Sequence, residues 1–149
     1  MIGLAAAVAL AAVAVVWARL RYVVVRVNGD SMAPTYRSGD LVLVRRARPG
    51  TVRRGQVVVF AEETPPEIAA LLPGGRSWAI KRAAAVPGDP VPAAERAVAH
   101  GDAARVPAAC VFVLGDNAEH SFDSRHFGFL PEGRVLGVVV RRIVERPVP

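Results

Sequence analysis

The chain has 149 residues, enough for one domain with a buried core, and 52% of them are apolar, which is high for a soluble protein. The net charge is +6, but neither an aromatic platform nor a DNA-reading motif accompanies it, so nucleic acid is not an expected partner. The single cysteine, Cys110, excludes an intrachain disulfide, and His100, His120 and His126 have no spacing that predicts a metal site.

The first predicted element is an apolar segment, Met1 to Ala18, which contains no charge. As a helix it would span about 27 Å, close to the hydrocarbon thickness of a bilayer. No Lys or Arg precedes it and it is long for a signal core, so we favour a retained anchor over a secretion signal cleaved after Val16-Trp17-Ala18. A buried helix of a soluble protein is less favoured, because the segment has no polar face for water.

Short apolar runs separated by Gly, Pro and Asp turns follow the anchor and predict strands. They are Tyr22 to Val27, Leu41 to Arg45, Gln56 to Phe60, Trp78 to Val86, Val111 to Leu114 and Val135 to Val144. Ala61 to Gly75 predicts a surface loop with one helical turn, and Pro90 to Ala109 has only a weak pattern. The sequence therefore predicts a mainly β, antiparallel domain, residues 21–149, on one transmembrane helix, residues 1–20.

Five arginines fall within ten residues, beginning at the end of the second predicted strand: Arg45, Arg46, Arg48, Arg53 and Arg54. One interpretation is a solvated hairpin tip. The other is contact with anionic lipid headgroups, where each basic side chain adds about 1 kcal/mol of binding.

Ser31 and Lys81 are the residues with the clearest chemical potential. Ser31 lies on a Gly-containing bend after a strand, where a hydroxyl can project beside free backbone N–H groups. Lys81 follows an apolar pair in a predicted strand, and burial of its amine would lower its pKa until it could take the serine proton. The alternatives are an ordinary turn serine and a solvent-facing lysine. Lys81 is the one lysine beside 18 arginines, which favours a role that requires deprotonation, because arginine stays charged.

A third segment, Gly115 to Arg125, concentrates small, polar and charged residues after an apolar strand. Asp116, Asp123 and Arg125 could form ion pairs that fix this loop, and Ser121 or Ser124 could orient an amine.

Taken in order, these segments resemble the motifs of type I signal peptidases, and the resemblance extends over Val23 to Val140. The matching segments are Ser31-Met32-Ala33-Pro34-Thr35 with Gly39-Asp40, Arg54 to Phe60, Lys81-Arg82 with Val86 to Asp89, and Gly115-Asp116-Asn117 with Ser121, Asp123-Ser124-Arg125 and Gly128.

The resemblance implies a β-rich serine protease domain on a membrane anchor, with Ser31 as nucleophile and Lys81 as general base. The expected supports are Ser121 hydrogen-bonded to the Lys81 amine, Asp123 paired with Arg125, and Asp116 paired with Arg82. It further implies that the substrates are precursor proteins with signal peptides that carry small side chains at the first and third positions before the cut. No cofactor is needed. Met32 and Ile80 are expected in the walls of the substrate pocket.

Four positions depart from the family pattern. Gln56 stands where Asp is usual, and Gly29 stands where some members have a serine that helps to bind the oxyanion. Ala118 replaces a common arginine, and Tyr36 replaces a common leucine at the expected substrate pocket. Two other functions stay open: a processing peptidase dedicated to a single precursor, and an inactive membrane-tethered binding module.

The orientation in the membrane rests on two opposed arguments. Arg19, Arg21 and Arg26 follow the anchor, and the positive-inside tendency would place the β domain in the cytoplasm. The resemblance implies the opposite side, where translocated precursors emerge. We follow the resemblance and expect a single-pass plasma-membrane protein, in contact with the lipid bilayer, whose catalytic domain is extracytoplasmic.

Overall fold

The computed structural model describes residues 2–92 and 104–144. Its helices are α1 (Ile2–Arg21), α2 (Pro66–Ala69) and α3 (Ser124–Phe127). Its strands are β1 (Tyr22–Arg26), β2 (Leu41–Arg46), β3 (Val57–Ala61), β4 (Trp78–Ala85), β5 (Cys110–Leu114), β6 (Leu130–Pro131) and β7 (Val135–Val144). Residues 93–103, which include His100 and most of the weakly patterned Pro90 to Ala109 segment, lie outside the described residues.

The seven strands form one antiparallel sheet in the order β1-β2-β7-β3-β4-β5-β6, so the predicted mainly β fold is confirmed. Sequence analysis did not identify β6 or α3, because segments of two and four residues are too short to show a hydrophobic period. The Pro-rich loop contains the expected helical turn at α2.

Helix α1 contacts β1 and leaves its described apolar side chains exposed. By length and composition, Gly3–Arg21 is the one helix in the described part of the chain that could cross a membrane. An Ala/Val helix with no buried face fits a lipid environment better than water.

Strands β3 and β4 lie in the middle of the sheet and are buried on both faces. Val58 and Phe60 pack into one apolar cluster, whereas Val57 and Val59 pack into another. On β4, Ile80 belongs to the second cluster and Ala83 to the first, as the alternation of a strand requires. A residue between them, such as Lys81, is therefore carried into the interior by the strand itself.

Candidate active site

The turn that carries Ser31 begins where β1 ends. It closes through two backbone hydrogen bonds, from Ala33 N–H to the Asp30 carbonyl (3.0 Å) and from Tyr36 N–H to the Met32 carbonyl (2.9 Å). Gly29 has φ +80°, a backbone conformation that is unfavourable for residues with a side chain but readily adopted by glycine. The Met32 side chain is fully buried in the core and fixes the turn, whereas the neighbouring Ser31 lines a cleft.

Lys81 reaches Ser31 from β4, which three strands separate from β1 in the sheet order. Its Nζ lies 2.6 Å from Ser31 Oγ, and the residue is only 6% exposed. Burial lowers the pKa of Lys81 below its ordinary value, although the charges of Asp123 and Glu62 partly oppose that effect. A neutral amine in hydrogen-bond contact with a hydroxyl is the arrangement that general-base activation of a serine requires.

Asp123 organises the loop that follows β5. Its buried carboxylate accepts hydrogen bonds from the Gly115 N–H (2.8 Å), the Ser121 hydroxyl (2.6 Å) and the Arg125 guanidinium (2.7 and 2.9 Å). Burial alone would raise the pKa of Asp123, but the hydrogen bonds from Arg125, Gly115 and Ser121 hold it at about 2. The carboxylate therefore stays charged and holds the loop together over the whole working pH range.

The position of Ser121 differs in one respect from the expectation. Its hydroxyl donates to Asp123, and within residues 2–92 and 104–144 no hydrogen bond joins it to the Lys81 amine. Ser121 nevertheless lies at the site, because Asp123, the residue that it binds, acts electrostatically on Lys81.

Arg82 and Asp116 form a bidentate pair, with N–O distances of 2.8 and 2.6 Å. The hydrogen bond from Arg82 lowers the pKa of Asp116. Asp116 also accepts the Thr35 hydroxyl at 2.5 Å. The Asp116 carboxylate, which lies in the loop after β5, thus binds both β4, the strand of Lys81, and the segment that carries Ser31.

Gly115 is where the loop after β5 passes closest to the Ser31 turn. A Cβ at this position would lie 2.6 Å from the Ser31 carbonyl oxygen and 2.5 Å from Ser121 Cβ. The Asn117 N–H donates to that same Ser31 carbonyl at 3.0 Å, and its side-chain amide donates to the Asp30 carbonyl at 3.1 Å. The absence of a side chain at Gly115 therefore allows the loop to lie against the Ser31 turn.

We expect Gly115→Ala to lower kcat/KM for a precursor peptide by about 10²-fold, because a displacement of about 1 Å at a catalytic group can have that effect. The matched control is Gly133→Ala, where an added Cβ meets nothing within 4 Å. Peptide hydrolysis and the melting temperature are measured for both variants. Wild-type activity in a folded Gly115→Ala protein would contradict the close approach described here.

One backbone donor next to the Ser31 hydroxyl is without a hydrogen-bond partner among the described residues. The Ser31 backbone N–H makes no hydrogen bond to any described residue and is available to a developing negative charge. Gly29 supplies no hydroxyl, so a second donor from that position is missing, as the sequence indicates.

A cleft of about 680 Å³ opens beside Ser31 and Lys81, between β1 and β4. Its walls include Val24, Trp78, Ile80, Leu136 and Glu62. Of the three residues predicted for the substrate pocket, Ile80 is in this lining.

The other two predicted pocket residues, Met32 and Tyr36, do not line the cleft. Met32 is buried in the same apolar cluster as Ile80, and Tyr36 packs against that cluster from its edge. Their side chains therefore pack in the cluster of Ile80, the predicted residue that lines the cleft.

Arg142, on the last strand, is a residue that sequence analysis did not connect with the site. Its Nε lies 3.2 Å from the buried Asp40 carboxylate, its guanidinium covers the Tyr36 ring at 5.3 Å, and it hydrogen-bonds the Thr35 carbonyl. It thus ties the end of the Ser31 segment to β7. Within the described residues, no group of three or more His, Cys, Asp or Glu side chains is placed to hold a metal ion.

Comparison with known sequences finds the same family that the sequence motifs resemble. The profile of the family described as "Signal peptidase, peptidase S26" matches residues 1–102 and 93–144. "Signal peptidase I" of Bacillus caldolyticus is 32% identical over 76% of this chain and 74% of its own length. "Signal peptidase I V" of Bacillus subtilis is 30% identical over 76% and 81%. "Mitochondrial inner membrane protease subunit 1" of Mus musculus is 27% identical over 80% and 68%.

Proposed function

The chain belongs to the signal peptidase family, peptidase S26, and from this membership we propose that it removes signal peptides from translocated precursors with Ser31 as nucleophile and Lys81 as general base. Its relatives are signal peptidases I, and it is accordingly a serine peptidase that hydrolyses peptide bonds. The domain assignment is part of the proposal: residues 1–20 anchor the protein in the membrane, and residues 21–149 form the catalytic domain.

One observation carries the choice of Ser31 and Lys81. Their side chains meet at 2.6 Å, although the residues are 50 positions apart and come from different elements. An exposed lysine would be protonated at neutral pH and would have no lone pair with which to accept the serine proton, whereas burial lowers the pKa of this one. The contact and the burial together support a serine–lysine mechanism.

In the proposed reaction, neutral Lys81 Nζ takes the hydroxyl proton as Ser31 Oγ bonds to the carbonyl carbon of the precursor. The Ser31 N–H stabilises the oxyanion. The ammonium then gives the proton to the leaving amine as the C–N bond breaks, and an ester to Ser31 remains. Water attacks the ester, Lys81 takes a proton from that water, and Ser31 regains its hydroxyl as the signal peptide leaves with a new carboxylate.

We assign supporting roles to the two ion pairs. The Arg125–Asp123 pair holds Ser121 and Gly115 against the dyad, and the Arg82–Asp116 pair holds Thr35. None of these groups needs to touch the reacting atoms. Their effect is to keep two loops within hydrogen-bond distance of each other.

The cleft suits an extended peptide. Strand β1 is at one edge of the sheet and, among the described residues, is paired on one side only, with β2. On β4, the residues from Trp78 to Lys81 pair with β3, whereas pairing with β5 begins at Arg82. Backbone groups on two free edges therefore face the cleft and support binding of a precursor in strand conformation.

The direct test is to incubate the purified full chain with several unrelated precursors and to sequence the new N-termini. Cleavage of most of them after small residues supports a general signal peptidase. Cleavage of only one supports a dedicated processing peptidase. If no precursor is cleaved and an acylating active-site probe does not label the protein, the tethered binding module is the better explanation.

We propose that the protein is single-pass in the plasma membrane with its catalytic domain outside the cytoplasm. Protease treatment of intact protoplasts should then digest the β domain while a cytosolic marker survives. Protection of the domain until the membrane is broken would show the opposite orientation, the one that Arg19, Arg21 and Arg26 favour by the positive-inside tendency.

A further inference from the structure

A second cavity, of about 370 Å³, lies where α1 meets the sheet. Its lining comes from the end of α1, the end of β2 with the loop that follows it, and β7: Leu20, Arg21, Arg45, Arg46, Ala47, Arg48, Thr51 and Val138. Four of these eight residues are arginines. They are brought together by the fold, since Arg21 is distant in sequence from the other three.

The charge of this arginine pocket is not neutralised within the described part of the chain. No carboxylate there forms an ion pair with Arg21, Arg45, Arg46 or Arg48. Glu132 lies near Gly50, in the loop after β2, and its buried carboxylate accepts the Gly50 N–H at 2.7 Å. It forms no ion pair with any of these four arginines. The loop is held by the Thr51 hydroxyl, which donates to the Arg48 carbonyl and accepts the Arg48 backbone N–H. Within the described residues, the guanidinium groups of these four arginines donate no hydrogen bond and stay available.

The aromatic residues at the end of α1 indicate the depth of the pocket. The Arg21 guanidinium lies 5.6 Å from the centre of the Trp17 ring, and Trp17 meets Tyr22 edge to face at 6.4 Å. Trp and Tyr concentrate at the headgroup level of bilayers, and basic side chains at helix ends reach the same level. If α1 spans the membrane, the arginine pocket lies among the headgroups.

We propose that the arginine pocket binds the phosphate of an anionic lipid headgroup. The inference rests on the membrane-spanning role of α1 in the proposed function. Guanidinium groups bind phosphate oxygens in pairs of parallel hydrogen bonds, and four of them around one cavity suit a single anionic phosphate. Arg46 lines the catalytic cleft as well, so a bound headgroup would hold the cleft at the membrane surface, where precursors emerge.

The test uses the full chain in uncharged detergent micelles, titrated with phosphatidylglycerol, with phosphatidylcholine and with inorganic phosphate, and bound molecules are counted by native mass spectrometry. The variant is Arg45→Gln/Arg48→Gln. The control is Arg53→Gln/Arg54→Gln, which removes the same charge from the same basic segment but outside the pocket lining. All four side chains are exposed, and equal melting temperatures show that both variants fold.

We expect the wild type and the control to retain phosphatidylglycerol over phosphatidylcholine, and the pocket variant to bind it about thirtyfold more weakly, since each basic side chain near an anionic surface contributes about fivefold. Equal binding of the two lipids, equal losses in both variants, or full competition by millimolar phosphate would overturn the proposal. Flotation with pure phosphatidylcholine vesicles tests the α1 anchor separately, and peptide hydrolysis in the same samples tests the peptidase.

Discussion

Ser31→Ala is expected to abolish precursor cleavage without unfolding the protein. The hydroxyl is the group that would form the ester, and its loss should lower kcat/KM by about 10⁴-fold or more. Its contribution to stability is small, because it projects from a turn that is held by backbone hydrogen bonds and by the buried Met32 side chain. The free energy of unfolding should therefore change by about 0.5 kcal/mol or less.

The matched control is Ser38→Ala in the same loop, whose hydroxyl accepts a 3.3 Å hydrogen bond from the Gly29 N–H. This variant should keep most of the wild-type activity. Cleavage rates and denaturant unfolding are measured for both proteins. Retained turnover in pure, folded Ser31→Ala would remove Ser31 from the nucleophile role.

Six of the seven strands could be predicted, because each is a short and mostly apolar run bounded by turn residues, whereas β6 is too short to show such a pattern. Val57 to Phe60 is apolar at every position, and the structure buries this run on both faces. The pairing order could not be predicted in the same way, because β7 lies between β2 and β3, although it is last in the chain. Long-range pairing depends on the fit of whole strand faces, which local patterns do not contain.

The parts of the site that could be predicted are those whose residue types are unusual for their place in the sequence. Ser31, Lys81 and the loop from Gly115 to Arg125 each combine unusual residues with a turn or a strand. Arg142 could not be found, because it is one of two adjacent arginines on β7 and its partners lie about a hundred residues earlier. Arg142 pairs with Val42 across the irregular register of β7 against β2, and this pairing places it near Asp40.

Lys81→Arg is expected to be as inactive as Lys81→Ala, although it keeps the positive charge. If Lys81 were only a surface cation or half of an ion pair, arginine should replace it at a cost of about 0–1 kcal/mol. The buried 2.6 Å contact with Ser31 indicates a different role. Arginine does not release its proton at any working pH, so general-base assistance of about 10²–10⁴-fold is lost in both variants.

The pH profile distinguishes this role from a structural one. Only the neutral amine accepts the serine proton, so wild-type activity should rise as pH increases through the lowered pKa of Lys81. Asp123 and Glu62 oppose the lowering, and Glu62 lines the cleft. In Glu62→Gln that opposition is reduced, the pKa of Lys81 falls further, and the rise should move to lower pH.

These measurements use one peptide substrate with wild type, Lys81→Arg, Lys81→Ala and Glu62→Gln, each first shown to be folded by its melting temperature. The two Lys81 variants should lack both the activity and the rise with pH. Glu62→Gln should keep the activity and shift the rise to more acidic pH, because its change acts through the amine. A folded Lys81→Arg protein with substantial activity and the wild-type pH profile would exclude the serine–lysine mechanism, since a permanently charged guanidinium cannot accept the proton of Ser31.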